Sequence, residues 1–477
     1  MRLTVQIGTI LEAIAQVVVL GRAILRPHRE PASRLAWAVV IVVAPIVGLV
    51  AYLLLGETRI STARRKKGRD IDSKLPRPGS DASNGNVPTE SVYRAPFALA
   101  RSVDGLGPTP GNAATLAFDS NAAIDAMVDD IDAARSHVHV CAYIWLADHN
   151  GCKVKDALIR AAKRGTDVRA LADALGSRRL IRSKHWRELT DSGVEVRVAL
   201  PVGNPLMTAT RGRVDLRNHR KSMIVDNRIA WCGSQNLADP EFRIKPRYAP
   251  WVDIMSRWEG PVVRQCQYLF VSDWMGDGGG DISALLSGPQ PPGPGNIIAQ
   301  VLGTGPTTRY DAMPSCFAEL IHSARRQLVV TTPYFVPDEQ VLFALTSAAM
   351  RGVETILVLP RRNDSIVVAA TSRSYYRDLI AAGVKLFEYR RGLLHAKTLV
   401  VDNRVGIIGS ANLDRRSFEL NFENNILFAD EDFARAVRER QERFIADCDE
   451  VTMADVEHFS LAQRLWQNSL AMLSPIL

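Results

Sequence analysis

The chain has 477 residues, of which 47% are hydrophobic and 23% are charged, and its formal net charge is +8. This length is too great for one ordinary core and predicts two or three domains, while the basic excess favours polyanionic partners, either nucleic acid or an anionic membrane surface. The six cysteines are scattered without metal-ligand spacing. This argues against a disulfide framework or a metal site, and we expect no cofactor.

Residues 1–57 predict a membrane hairpin made of two apolar segments. Leu35–Leu55 is 21 residues long and uncharged, which is about the length needed to cross a hydrocarbon core of ~30 Å. The preceding segment, Leu3–Leu25, is apolar but carries Glu12 and Gln16, so it either spans the bilayer or lies in the interface. Apolar segments of this kind favour the membrane as the polyanionic partner, and we expect no nucleic-acid partner.

Basic residues around the two segments predict their orientation. A hairpin with both ends inside leaves seven basic residues on the inner side, including those of the "RRKKGR" run at 64–69, and four between the segments. The positive-inside rule therefore predicts a multi-pass protein of the cell membrane whose main body faces the cytoplasm. We expect the same basic run to bind the negatively charged headgroups of anionic membrane lipids.

The rest of the chain divides into two similar halves. Each shows strand, helix, glycine and strand in the same order, with Gly165 corresponding to Gly352. This pattern predicts an α/β fold of two pseudo-symmetric lobes, each a mixed sheet flanked by helices. The predicted divisions are the hairpin at 1–57, a basic segment and linker at 58–95, a first lobe at 96–280, an inter-lobe linker at 281–296, and a second lobe with a C-terminal helix at 297–477.

Each half contains one stretch with the same polar residues at the same spacing. The stretches are "NHRKSMIVDNRIAWCGSQN" (218–236) and "LHAKTLVVDNRVGIIGSAN" (394–412). On an extended strand, residues i and i+2 face the same side, so the histidine and lysine of each stretch point together. Small residues further on let backbone amides approach an anion, and asparagine amides can donate to it. The candidate residues are His219, Lys221, Ser234, Asn236, His395, Lys397, Ser410 and Asn412.

If the halves pack about a pseudo-twofold axis, the two stretches meet at one seam and suit a phosphate diester. Two lysines would neutralise its oxygens, while one imidazole attacks phosphorus and the other protonates the leaving oxygen. A carboxylate on the other ring nitrogen would hold each imidazole. We prefer Asp253 and Glu423 for this role, because Asp226 and Asp402 sit at turns and are expected to lock the backbone there.

Both stretches resemble the double HxKx4Dx6G(S/G) signature of the phospholipase D superfamily. Together with "TTPYFVPDE" (331–339) and "GSANLDRRSFELNFENN" (409–425), they most resemble its bacterial cardiolipin synthases. The resemblance implies transfer of a phosphatidyl group between two phosphatidylglycerol molecules, with release of glycerol through a phosphohistidine intermediate. It implies His219 as the nucleophile and a catalytic set consisting of His219, Lys221, Asp226, His395, Lys397 and Asp402.

Other functions and several residue roles stay open. The same histidines would serve a phospholipase D that hydrolyses phospholipids, and a catalytically inert scaffold would keep the membrane hairpin. The sequence does not fix the acceptor alcohol or the oligomeric state. Tyr143 and Tyr334 end matching strands and either pack in the core or contact substrate. Arg415 and Arg416 either bind a second phosphate or form a surface ion pair with Asp414 or Glu419. The apolar face of the C-terminal helix packs on the body or lies on the membrane.

Overall fold

A computed structural model describes residues 2–27, 31–56, 60–78, 91–201, 213, 215–288 and 293–473. Its N-terminal part contains α1 (Arg2–Leu25), α2 (Pro31–Val43) and α3 (Pro45–Leu55). Within α1, Gln6–Leu25 is long and apolar enough to cross a membrane, by length and composition. The first apolar segment therefore meets the criterion for a spanning helix, whereas α2 and α3 are shorter apolar helices.

The second apolar segment, Leu35–Leu55, is not one continuous helix. Helices α2 and α3 are separated at Ala44, because Pro45 has no backbone N–H and its ring clashes with a preceding helical turn. The chain folds back at this point, so the ring centroids of Trp37 and Tyr52 lie 5.3 Å apart. In one straight helix their Cα atoms would be about 22 Å apart.

Helix α4 (Thr62–Asp72) carries the basic run and is docked on the body. Arg64 donates to Asp277 at 2.7 Å, Lys67 donates to the carbonyl of Gly276, and Ile71 is buried. The start of the predicted linker is therefore helical and packed against the body. Residues 79–90 of that linker lie outside the described residues.

The predicted first lobe alternates strands and helices. Its strands are β1 (Thr109–Leu116), β2 (His137–Ala142), β3 (Asp167–Asp173), β4 (Glu195–Ala199), β5 (Arg217–Asn218), β6 (Ser222–Val225), β7 (Ile229–Gly233), β8 (Trp251–Val252) and β9 (Met255–Glu259). Its helices are α5 (Arg94–Asp104), α6 (Ser120–Asp132), α7 (His149–Lys163), α8 (Arg178–Ile181), α9 (Lys184–Asp191) and α10 (Val262–Gly276).

The second lobe follows the same alternation. Its strands are β10 (Ile297–Thr304), β11 (Gln327–Thr331), β12 (Phe335–Val336), β13 (Glu354–Pro360), β14 (Lys385–Tyr389), β15 (Leu393–Leu394), β16 (Thr398–Val401), β17 (Val405–Gly409), β18 (Leu413–Asp414), β19 (Asn421–Ala429) and β20 (Cys448–Val451). Its helices are α11 (Ala312–His322), α12 (Glu339–Met350), α13 (Ile366–Ser374), α14 (Tyr376–Ala381), α15 (Arg415–Glu419), α16 (Glu431–Ala446), α17 (Met453–Glu457) and α18 (Leu461–Leu473).

The two lobes repeat one strand order and share one sheet. The first lobe runs β1-β9-β7-β6-β2-β3-β4, and the second runs β10-β19-β17-β16-β11-β13-β14-β20. Strands β2, β3 and β4 are parallel, as are β11, β13 and β14, and the other neighbours along these paths are antiparallel. Strand β1 pairs with β10, which joins the lobes. This confirms the predicted α/β fold of two pseudo-symmetric lobes.

Glycine ends corresponding helices of both lobes, as the sequence pattern predicts. Gly165 follows α7 with a φ of 88°, and Gly352 follows α12 with a φ of 84°. Glycine adopts a positive φ without the steric penalty that a Cβ atom imposes, so it can reverse the chain directly after a helix. In each lobe the chain then enters the next parallel strand, β3 or β13.

The hydrophobic core extends across the junction of the lobes. Trp258 of β9 packs edge-on against Phe433 of α16, with ring centroids 5.1 Å apart, and both side chains are buried. Helix α5 lies within the predicted first lobe, yet its Phe97 packs in one cluster with Met313 and Leu328 of the second. This shared packing fixes the position of one lobe relative to the other.

The C-terminal helix α18 packs against α13 of the body. It makes this contact through the face that contains the buried Gln467 and Leu470. Leu461, Leu465 and Trp466 are instead 72%, 60% and 55% exposed. Most of the apolar residues that predicted an amphipathic helix therefore lie outside the packed face.

The motif aspartates close turns at the far ends of their strands from the histidines. The carboxylate of Asp402 accepts backbone N–H bonds from Arg325, Arg326 and Gln327 at 2.7 to 2.9 Å. Asp226 accepts three such bonds from the chain entering β2. Their oxygens are occupied by the backbone away from the seam, which supports the turn-locking role expected from the sequence, while the catalytic role that the signature implies stays a prediction.

We expect Asp402→Ala to destabilise the fold, because three backbone amides and the Tyr93 hydroxyl lose their acceptor. The expected loss is about 2–4 kcal/mol of unfolding free energy, seen as a lower melting temperature of the detergent-solubilised protein. Asp432→Ala is the control, since that exposed carboxylate pairs with Arg435 at the surface and should cost less than about 1 kcal/mol. Equal melting temperatures for the two variants would contradict the backbone-locking role.

Candidate active site

The lobes exchange short strands at the seam between them. Strand β5 of the first lobe pairs in parallel with β19 of the second, and β15 of the second pairs in parallel with β8 of the first. Directly after these pairs, the N–H of His219 donates to the carbonyl of Phe422 at 2.9 Å. In the same way, the N–H of His395 donates to the carbonyl of Val252 at 2.8 Å. Each histidine backbone is therefore held by the opposite lobe.

The imidazoles contact carboxylates across the seam. Nδ1 of His219 lies 2.9 Å from Oε2 of Glu423, and Nδ1 of His395 lies 2.6 Å from Oδ1 of Asp253. All four side chains are buried. The structure thus brings together the histidines and the two carboxylates that the sequence favoured, and it adds that each pair joins different lobes. When Nδ1 donates to the carboxylate, Nε2 of the neutral ring carries the free lone pair.

Burial is the main influence on the protonation of both histidines. It lowers the pKa of His219 to about 3, although the neighbouring Glu423 opposes this shift. Burial, followed by the charge of Lys397, also lowers the pKa of His395. Lys397 acts on His219 as well, and Lys221 acts on His395, so each imidazole responds electrostatically to the lysine of the other lobe. Both rings are therefore neutral in the free site at neutral pH.

The lysines are buried beside their histidines. Nζ of Lys221 donates to the carbonyl of His219 at 2.6 Å, and Nζ of Lys397 donates to that of His395 at the same distance. Burial lowers the pKa of Lys221 to about 8 and that of Lys397 to about 7, with Lys221 adding to the second shift by repulsion. An anion bound between the two ammonium groups would relieve this cost, since it would supply the missing counter-charge.

The serines of the two GSxN sequences contact the carboxylates rather than the open seam. The hydroxyl of Ser234 donates to Asp253 at 2.6 Å, and that of Ser410 donates to Glu423. The backbone N–H groups of both serines are already bonded to carbonyls of neighbouring strands. Neither serine therefore has a free backbone amide for an anion, and the substrate-binding role of Ser234 and Ser410 stays a prediction. Their hydroxyl groups hold the carboxylates.

The asparagines of the same sequences are also buried. Oδ1 of Asn236 accepts the N–H of Ile144 at 3.2 Å. Nδ2 of Asn412 lies 3.2 Å from the hydroxyl of Ser417, and its Oδ1 is buried without a hydrogen-bond partner among the described residues. Rotating this amide by 180° lets Ser417 donate to the oxygen, which leaves the NH2 group of Asn412 available to an anion.

Aromatic rings flank both histidines. The ring of Tyr143 is 4.7 Å from that of His219, and Nζ of Lys221 is 5.0 Å from the same tyrosine ring. On the other side, Trp251 lies 4.7 Å and Tyr334 lies 6.5 Å from His395, measured between ring centroids. Both tyrosines are half-buried beside the seam. Sequence reasoning missed Trp251, although its i, i+2 spacing from Asp253 on an extended strand places the two on one side.

Further polar contacts tie the lobes together around the site. The side chain of Asn424 accepts the N–H of Lys221 at 3.0 Å and donates to its carbonyl at 3.2 Å. Arg220 donates to the carbonyl of Glu423 at 3.1 Å and pairs with Asp273 at 2.6 Å. Sequence reasoning missed these residues, whose main signal is their position beside His219 and Glu423 in the chain.

The two arginines after the second stretch form ion pairs. Arg415 lies 3.7 Å from Glu419, one of its expected partners, and Arg416 lies 3.6 Å from Asp215. Arg416 also donates to the backbone carbonyl of Asp215 at 2.5 Å. Of the two alternatives for this arginine pair, the ion-pair arrangement is the one observed.

Comparison with known proteins agrees with this geometry. A family model described as "Cardiolipin synthase, PLD-like domain" matches residues 127–273 and 317–445, and a "Phospholipase_D-nuclease N-terminal" model matches 14–57. Cardiolipin synthase A of Erwinia tasmaniensis is 34% identical and that of Pectobacterium carotovorum is 35% identical, each over 95% of both chains. The crystal structure of phosphatidylserine synthase from Haemophilus influenzae superposes with a TM-score of 0.60 at 13% identity, covering 81% of this chain and 100% of that one, and so shares the fold. The chain therefore belongs to the cardiolipin synthase family of the phospholipase D superfamily.

Proposed function

We propose that the protein is a membrane-associated phosphatidyltransferase that makes cardiolipin. It transfers a phosphatidyl group from one phosphatidylglycerol to a second and releases glycerol. The observation that supports this best is the meeting of His219 with Glu423 and of His395 with Asp253 at one seam, next to two buried lysines. The relatives named cardiolipin synthase align over 95% of both chains, which supports the same substrate class.

In the first step, the free Nε2 of one neutral imidazole attacks the phosphorus of the donor lipid. The N–P bond forms while the P–O bond to glycerol breaks. The other imidazole, protonated at Nε2, gives its proton to the departing oxygen. Lys221 and Lys397 neutralise the non-bridging oxygens throughout. The products of this step are free glycerol and a phosphatidyl-histidine.

In the second step, a hydroxyl of the acceptor phosphatidylglycerol takes the place that glycerol has left. The second imidazole is now neutral, so it accepts the hydroxyl proton as the oxygen attacks phosphorus. The new O–P bond forms, the N–P bond breaks, and cardiolipin leaves. Both imidazoles return to their starting protonation states, so the cycle is balanced in atoms and charge.

We assign His219 as the nucleophile and His395 as the acid and base. Asp253 lies 2.6 Å from His395 and accepts one other side-chain hydrogen bond among the described residues, from a serine. Glu423 is 2.9 Å from His219 and accepts from both a serine and Asn421. The shorter bond to the less shared carboxylate favours an imidazolium at His395. The negative charge of the bound phosphate raises the pKa of this ring and so opposes the lowering that burial causes in the free site.

The N-terminal part supports access to lipid substrates. The apolar α1 and the family match over 14–57 indicate association with a membrane. The basic α4 is suited to anionic headgroups, among which phosphatidylglycerol is a natural example. We also propose that the body faces the cytoplasm, because the basic run lies where the membrane segment joins the body.

The direct test is to incubate the full chain, reconstituted in phosphatidylglycerol vesicles, and to identify the products by mass spectrometry. We expect equal amounts of cardiolipin and glycerol, with turnover reduced by at least about 1000-fold in His219→Ala and in His395→Ala. His458→Ala removes an exposed histidine and should keep full activity. Phosphatidic acid as the main product would instead show a hydrolase, and no lipid change at all would show an inert scaffold.

The histidine assignment can be tested with a phosphatidyl ester of p-nitrophenol. This leaving group departs without a proton donor, so His395→Ala should release one equivalent of nitrophenol and accumulate the phosphatidyl-protein. The adduct should be labile to acid and detectable by mass spectrometry at His219. In His219→Ala neither the burst nor the adduct should appear. The reverse pattern would assign His395 as the nucleophile.

The lysines predict a pH dependence of substrate capture. The ammonium forms bind the phosphate, and the pKa values of Lys397 and Lys221 are lowered by burial to about 7 and about 8. As the pH rises through these values the free site loses its charge, so kcat/KM for phosphatidylglycerol should fall. The bound phosphate raises both pKa values, so kcat should fall less. In Lys397→Arg the residual kcat/KM should fall less steeply, because arginine stays charged; an equally steep decline would contradict the assignment.

A further inference from the structure

The three N-terminal helices form a small bundle whose shape differs from that of two spanning helices. We propose that, within the described residues, α1 alone crosses the bilayer, and that α2 and α3 form a re-entrant hairpin that enters and leaves on the side of the body. The relevant partner is the hydrocarbon layer itself. This arrangement concerns the anchor and is independent of the reaction proposed above.

Helix length is the first argument. α2 has 13 residues and α3 has 11, which correspond to about 20 Å and about 17 Å of helix, whereas the hydrocarbon core measures ~30 Å. α1 has 24 residues, enough for about 36 Å. The reversal at Ala44 brings Trp37 and Tyr52 into edge-to-face contact, so the end of α3 returns towards the start of α2.

The backbone polar groups at the reversal between α2 and α3 have hydrogen-bond partners that fit a re-entrant hairpin. In a helix, the carbonyl of Ile41 would accept the N–H of residue 45, but that residue is Pro45 and has none. Nε2 of Gln16, in the middle of α1, donates to this carbonyl at 2.8 Å. The N–H of Ala44 bonds to the carbonyl of Val40 at 3.1 Å. An unpaired carbonyl is strongly unfavourable in hydrocarbon, so Gln16 has a specific use within an otherwise apolar helix.

Close packing stabilises the contact between α2 and α3. A Cβ atom on Gly48 of α3 would lie 2.4 Å from the carbonyl oxygen of Val40 in α2, so the two backbones touch there. Val19 and Ala23 of α1 pack in the same cluster as Trp37 and Ile41. The outward-facing residues of the bundle are apolar and exposed, as expected for a surface in contact with lipid tails. Examples are Ile10, Leu11, Val39, Val42 and Val47.

The charge distribution favours the same topology. With α2 and α3 re-entrant, Arg22, Arg26 and Arg34 lie on the same side as the basic α4, and Arg2 lies on the other side. With α2 and α3 crossing as one helix, these three arginines would be separated from α4 by the bilayer. The positive-inside rule therefore supports the re-entrant form, with the N-terminal end of α1 outside and the body inside.

Cysteines added one at a time at either end of α1 distinguish the two topologies. We would express the full chain carrying Thr4→Cys or Pro27→Cys and label intact spheroplasts with a membrane-impermeant maleimide. The native cysteines lie between residues 141 and 448, in the body, and provide an internal control for leakage. We expect labelling of Thr4→Cys in intact spheroplasts and labelling of Pro27→Cys only after permeabilisation. Labelling of Pro27→Cys from outside, or protection of both positions, would overturn the proposal.

A second pair of variants tests whether the break sets this topology. Pro45→Ala with Gly48→Leu restores the missing N–H and closes the space between α2 and α3, so a continuous second span should form. Pro27→Cys should then become accessible from outside and Thr4→Cys should become protected. Gly8→Leu is the matched control, because a Cβ there meets nothing within 4 Å, and it should leave the labelling unchanged. Unchanged labelling in the double variant would contradict the role of the break.

Discussion

The active site depends on two backbone hydrogen bonds that cross between the lobes. The N–H of each histidine of the repeated stretches is bonded to the carbonyl of the residue directly before the carboxylate it contacts, at Phe422 for His219 and at Val252 for His395. The position of these two bonds therefore places each imidazole ring directly beside its carboxylate, so neither side chain has to extend far to make the contact. Neither lobe holds a complete histidine–carboxylate pair, so the shared sheet and core of the lobes are requirements for the chemistry.

The same seam buries charge in nearly balanced form. Two lysines face two carboxylates, and the imidazoles between them are neutral in the free site. Burial lowers the pKa of both lysines, and the charges of Glu423 and Asp253 oppose this shift. A phosphate diester adds one negative charge, and protonation of one imidazole restores the balance. This charge arrangement is compatible with the proposed monoanionic diester and with the one proton that its cleavage needs.

Local sequence patterns predicted the parts of this site, and tertiary contacts decided how the parts combine. The sequence pattern was enough to predict the repeated histidines and lysines and the carboxylates Asp253 and Glu423, because each occurs at a corresponding place in both halves. The pairing of each histidine with the carboxylate of the other lobe could not be predicted, because it depends on which strands are neighbours after folding. The turn position of Asp402 predicted its backbone role better than the family signature did. The break at Pro45 was missed because composition and length alone make Leu35–Leu55 look like a span.

Duplication explains why one fold can supply two chemically different imidazoles. Phosphoryl transfer by this route needs a neutral ring on one side of phosphorus and a protonated ring on the other, at nearly equal distances. The repeated backbone frame provides the equivalent positions, and side chains around each carboxylate then set the proton affinity. Asp253 and Glu423 differ in length, in their distance from the ring and in the other donors they accept. The backbone frame is therefore symmetric while the surroundings of the two carboxylates are not, and this asymmetry is what the proposed reaction requires.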